Sequence, residues 1–114
     1  MPHLIIQHST NVAADDALCD ALFQALAAHD AIPQPESLKI RTLPCPHWRI
    51  GTNPQSFAHA DLLLLKGRDD ATKADLARAI LTVMELHLPQ VGALSVDIGE
   101  LSDAYTKRVL QAGV

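Results

Sequence analysis

Proline at position 2, directly after Met1, is the residue whose type and place carry the most chemistry in this chain. Its small side chain favours removal of Met1, which would leave a secondary amine with no side-chain freedom, held at the head of an apolar stretch. An unperturbed α-amino group titrates near 8, and desolvation or neighbouring cations lower that value by favouring the neutral form. The product is a base or nucleophile that works at neutral pH. Many chains begin Met-Pro without catalysing anything, so Pro2 acquires meaning only from what surrounds it.

Other reactive residue types do not assemble into a known pattern. Cys19 and Cys45 form no CxxC pair, and although Cys45 precedes Pro46 and His47, no second Cys/His pair has the spacing that zinc requires. His3, His8, His29, His47, His59 and His87 are scattered along the chain. Asp97 and Glu100 flank a predicted strand, where solvated carboxylates are common, and Gly67 lacks the Lys-Ser/Thr partner of a phosphate loop. No metal and no cofactor are expected.

The elements that must position Pro2 follow from hydrophobic period. Residues 3–7 are apolar and β-rich and end at Ser9-Thr10-Asn11, which reads as strand then turn. From about Ala13 to His29, Leu18, Leu22, Ala25 and Leu26 recur at helical spacing, with Asp15 and Asp16 near the favoured N-terminus. Ile32-Pro33-Gln34-Pro35 breaks that helix. Residues 38–43 alternate with period two and run on past Pro44 and Pro46, which places this strand at an edge or bulge. The order then repeats. Residues 61–66 form a strand with an unbroken apolar run, and Gly67-Arg68-Asp69-Asp70 a turn, with Asp69 and Asp70 favouring the start of the next helix. That helix runs from about Thr72, with Asp75 completing a capping box, to Leu88 before Pro89, and residues 93–98 form a last strand. Leu101, Tyr105 and Val109 predict a short C-terminal helix.

Two βαβ units in one α+β domain, residues 1–114, are therefore expected, giving a four-stranded mixed sheet with both long helices on one face of a two-layer fold. The chain has 114 residues and 48% apolar content, enough for one core, and only 4% aromatic residues, so that core should be aliphatic. Nine basic against 13 acidic residues, without a basic block, argue against nucleic acid as partner. No apolar run approaches the roughly 20 residues that span a bilayer, and no signal-peptide layout opens the chain, so a soluble cytoplasmic protein is expected. Successive apolar residues in residues 3–7, 62–65 and 93–98 imply that the second sheet face is also covered, and a symmetric homo-oligomer is the expected cover.

Pro2-His3-Leu4-Ile5-Ile6, followed by His8-Ser9 and Asn11, resembles the start of the 5-carboxymethyl-2-hydroxymuconate Δ-isomerases of the tautomerase superfamily. Ile40-Arg41 with His47-Trp48, Leu65-Lys66 with Gly67-Arg68, and Leu94-Ser95 through Ile98 to Glu100-Leu101 extend the resemblance over essentially the whole chain, in order. Gln7 stands where a glutamate is common, the segment from Trp48 to His59 looks shortened, and the turn carrying Arg68 lacks a few residues. The resemblance implies a tautomerase fold like that of macrophage migration inhibitory factor, a homotrimer, and an amino-terminal proline acting as general base.

It also implies a reaction in aromatic catabolism. Pro2 would take a proton from a 2-hydroxymuconate-type dienol and return it at another carbon, while Arg41 and Arg68 hold a carboxylate and stabilise the dienolate oxygen. His47, Trp48 and Arg49 would bind substrate, Trp48 walling an apolar part of the pocket, with Lys66 as a further reserve cation. Two other readings stand beside this one: the same base acting on another enolisable keto acid, and a trimeric binding protein that keeps the fold without catalysis.

Overall fold

The computed structural model describes residues 2–111, so the expected removal of Met1 falls outside the described residues. Its elements in chain order are β1 (His3–Ser9), α1 (Asp16–Ala27), one 3-10 turn (Pro35–Ser37), β2 (Lys39–Cys45), β3 (Phe57–Leu64), α2 (Asp70–His87) and β4 (Ala93–Glu100). The four strands form one mixed sheet in the order β2-β1-β3-β4. β1 runs parallel to β2, β3 parallel to β4, and the two pairs meet antiparallel at β1 and β3. This is the expected pair of βαβ units, with the proline-bearing β2 at an edge, where Pro44 withholds no essential ladder donor.

The alternation along each strand separates two faces. Leu4, Ile6, Ala58, Ala60, Leu62 and Leu64 are fully or almost fully buried against Leu18, Leu22 and Leu26 of α1 and Leu76, Ile80 and Met84 of α2. The core is aliphatic throughout, and both helices lie on this one face. Burying a leucine or isoleucine side chain is worth roughly 1.5–3 kcal/mol, so these packed side chains fix the register of the central strands. The opposite face is mixed rather than uniformly apolar. It carries Ile5 and Leu63 beside Gln7, His59, Asp61, Ser95 and Asp97, because the consecutive apolar residues of β1 and β3 point alternately to the two sides. On that face His59 bonds Ser95 Oγ at 2.6 Å and Asp61 Oδ1 at 2.9 Å, a polar strap across β3 and β4.

Some local expectations change, beginning with β3, which spans Phe57–Leu64 where residues 61–66 were expected. α2 begins at Asp70, with Asp69 as its cap accepting the Thr72 N–H at 2.8 Å, in place of a box built by Thr72 and Asp75. Asp75 instead holds His29 at 2.7 Å. The predicted C-terminal helix over residues 101–109 is absent among the described residues. Leu101 continues the sheet edge by donating to Leu64 O at 2.7 Å, and a turn follows in which Ser102 O takes the Tyr105 N–H and Ser102 Oγ the Ala104 N–H. Val109 is 59% and Leu110 84% exposed, so a helix here would have had no buried face to repay its nucleation.

Candidate functional site

Pro2 sits one residue ahead of β1, and its carbonyl accepts the Lys39 N–H at 3.1 Å, which locks the head of β1 to the head of β2. The residue is buried. It borders a cavity of about 90 Å³ whose apolar wall is Ile32, Pro33, Leu64 and Leu65 and whose polar groups come from Gln34, Ser37 and Arg68. Three pieces of chain thus converge: the head of β1, the loop that follows α1, and the tail of β3.

Among the described residues, Arg68 is the one charged side chain lining that cavity. The turn that delivers it depends on Gly67, whose φ of +128° is reached without strain only in the absence of a Cβ. Its guanidinium donates from Nη1 to Leu65 O at 3.0 Å and from Nη2 to Ala31 O at 2.8 Å, tying the tail of β3 to the loop after α1. The same loop is held a second time. His29 Nδ1 accepts the Ala31 N–H at 3.0 Å, which leaves the proton on Nε2 to be donated to Asp75 of α2. Ser37 Oγ closes the wall by donating to Gln34 O at 2.7 Å.

Within one chain Arg41 does not line this cavity. It pairs with Ile5 in the ladder and lies exposed on the sheet face away from the helices, where Nη1 donates to His3 Nδ1 at 3.2 Å. His3 in turn bonds Tyr105 Oη at 2.9 Å, with the two rings edge to face. Burial, then the charges of Arg41 and Lys39, hold the His3 imidazole below its usual value. His47, Trp48 and Arg49 follow β2, at the Ser9 end of β1. Seven residues of strand separate them from Pro2, about 20 Å at the usual rise. There Trp48 Nε1 donates to Gln55 O at 3.1 Å and Arg49 to Trp48 O at 2.7 Å, while His47 is exposed. Lys66 pairs with Asp103 at 3.1 Å.

Of the residues expected in the site, the chain itself brings together Pro2 and Arg68. Sequence reasoning missed Gln34, Ser37 and the His3–Tyr105 pair. The loop at Pro33 and Pro35 was legible as a helix stop, but its contribution to a wall depended on how α1 returned to the sheet. Among the described residues no three His, Cys, Asp or Glu side chains converge as metal ligands, and no helix is long and apolar enough to cross a membrane.

A family model for 5-carboxymethyl-2-hydroxymuconate isomerase matches residues 2–109. Among solved structures, a 5-carboxymethyl-2-hydroxymuconate isomerase from Deinococcus radiodurans R1 is similar at 24% identity and a TM-score of 0.81, covering 95% of this chain and 88% of that one. A 5-carboxymethyl-2-hydroxymuconate delta-isomerase aligns over 100% of this chain and 95% of its own, at 22% identity and a TM-score of 0.80. A fused 4-OT wild type symmetric trimer aligns at 17% identity and a TM-score of 0.69, over 96% and 94%. No curated protein matches. The chain belongs to the 5-carboxymethyl-2-hydroxymuconate isomerase family, with a tautomerase-like fold, and is an isomerase.

Proposed function

We propose that this isomerase moves one proton within a 2-hydroxymuconate-type dienol carboxylate, in the catabolism of aromatic compounds, with Pro2 as base and then acid. The observation that carries the reading is the cavity shared by Pro2 and Arg68. Once Met1 is removed, an apolar wall of Ile32, Leu64 and Leu65 disfavours the ammonium form, and the Arg68 charge does the same. A neutral secondary amine takes the dienol proton. The electron pair moves through the conjugated system, and the ammonium returns the same proton at the new carbon, so nothing else is consumed. Arg68 keeps donors beyond the two committed to carbonyls and grips a substrate carboxylate.

Arg41 enters the reaction from a neighbouring copy in a homotrimer, as do His47, Trp48 and Arg49 if they bind substrate, because all lie away from Pro2 in their own chain. The open sheet face, the free edges of β2 and β4, and the likeness to a symmetric trimer support that assembly. A cytoplasmic location fits the same reading. A second substrate reading keeps Pro2 as base and changes the substrate to another enolisable keto acid, favoured by the shortened segment from Trp48 to His59 and the shortened turn carrying Arg68.

The test is a spectrophotometric assay of dienol and keto-acid substrates beside an intact-mass measurement. Removal of Met1, and activity that rises with pH through one ionisation below about 8, are expected. Full activity in a chain that retains Met1 would refute Pro2 as base, and inactivity of the processed trimer on every substrate would favour a binding protein.

A further inference from the structure

The wall of the Pro2 cavity that follows α1 belongs to no helix or strand from residue 28 to residue 34, so something else must hold it in place. His29 does so twice. The chain turns through His29-Asp30-Ala31-Ile32, and the Ile32 N–H donates to His29 O at 3.0 Å. The imidazole Nδ1 takes the Ala31 N–H, also at 3.0 Å. Both peptide groups that flank Ala31 are therefore fixed by His29, one through its side chain and one through its carbonyl. That sets the direction of Ala31 O, the acceptor for Arg68 Nη2 at 2.8 Å. It also sets the buried Ile32 as part of the cavity wall.

Asp75 decides which nitrogen of His29 accepts. An imidazole takes the Ala31 N–H at Nδ1 only while that nitrogen carries no proton, and the 2.7 Å bond from Nε2 to Asp75 Oδ2 favours the tautomer protonated on the far nitrogen. Asp75 belongs to α2, none of whose residues lines the cavity. A chain of contacts thus runs from α2 through His29 and Ala31 to Arg68, and only its last member faces Pro2. Arg68 commits two of its five N–H groups to Ala31 O and Leu65 O, and those two carbonyls aim the three that remain.

We infer that His29, oriented by Asp75, is a positioning residue of this isomerase: through Ala31 it fixes the Arg68 guanidinium where a substrate carboxylate is gripped, given the grip that the proposed function assigns to Arg68. The test combines steady-state kinetics with NMR of the Arg68 guanidinium, both in the full chain. His29→Ala should raise KM about fivefold with kcat little changed, the factor that one lost hydrogen bond is worth. His29→Asn should recover most of that loss, because an asparagine side chain accepts the amide two residues on in the same way. Asp75→Ala should raise KM by a smaller factor, whereas Lys73→Ala, which breaks the 3.3 Å ion pair between α2 and Glu100, should not. In an Arg68→Ala background His29→Ala should add nothing, which a general loosening of the fold would not reproduce. Without any substrate, the two Nη groups of Arg68 should give separate signals in the parent and merge in His29→Ala. A parent inactive on every substrate would therefore sink the proton-transfer reading alone, and merging of the Nη signals would still support the clasp. Nη signals that stay separate in His29→Ala, or the same rise in KM with and without Arg68, would overturn it.

Discussion

Arg68 has two roles at one position, because the guanidinium that faces Pro2 also bridges Leu65 O and Ala31 O. Arg68→Ala is therefore expected to raise KM by about tenfold with a smaller change in kcat, as for a carboxylate grip made equally in ground and transition states. Arg68→Lys should recover little, since an ammonium cannot span two carbonyls and a ligand. Arg41, if it meets the developing dienolate from a neighbouring copy, should show the reverse split, with kcat lowered by about 2–4 kcal/mol in Arg41→Ala. Steady-state kinetics of the three variants checks both. His3 makes a prediction about stability. Its imidazole is held below the ordinary value by burial and by Arg41, so just below about pH 6.5 the unfolded chain binds a proton that the folded chain refuses. Stability should fall as pH drops through that range, and denaturant midpoints of His3→Gln should fall less. The sequence singled out Pro2 and Arg68 through the resemblance of the motifs around them, and both line one cavity. It could not show that Arg41 faces away from Pro2, because that depends on which side of β2 an odd-numbered residue takes once Lys39 is locked to Pro2.

At the scale of elements, the helices are set by their caps and their buried stripes. Asp15 accepts the Leu18 N–H at 3.1 Å, and Asp15→Ala should cost about 1 kcal/mol by removing that cap. Leu22 is fully buried between α1 and the sheet, so Leu22→Ala should cost about 2–5 kcal/mol; thermal or urea unfolding ranks the two. The order of elements and the proline-marked edge strand could be read from period and punctuation. The first half of β3 could not. Phe57, Ala58, His59 and Ala60 carry little β signal, yet Ala58 and Ala60 are buried because small side chains suit the space beneath the helices, and their pairing with His8 and Ile6 completes the ladder. Such a strand is specified by its partner more than by its own residues. The C-terminal segment failed in the opposite sense. Leu101, Tyr105 and Val109 have helical spacing, but Leu101 is recruited by Leu64 O and Tyr105 by His3, so tertiary bonds override the pattern.

The whole molecule leaves one sheet face without cover from its own helices, and what would bury it decides whether Arg41 can meet Pro2 at all. Leu63 sits on that face, half-buried, opposite Gly99 of β4 and His3 of β1, with no part in the buried core. Its neighbours Leu62 and Leu64 point the other way into the helices, so the residue can be changed without opening the chain's own interior. In a trimer with sheets turned inward, a charge at this position would be carried into the contact between copies and left unpaired there. Sedimentation of the parent protein at micromolar concentration is expected to give a closed trimer. Leu63→Asp should shift it to smaller species while the helical circular dichroism stays that of the parent, and activity should fall with the loss of trimer because Pro2 and Arg41 would no longer share a cavity. A Leu63→Asp protein that remains trimeric would mean that the copies meet elsewhere, and a stable, active monomer would mean that Arg41 is not needed.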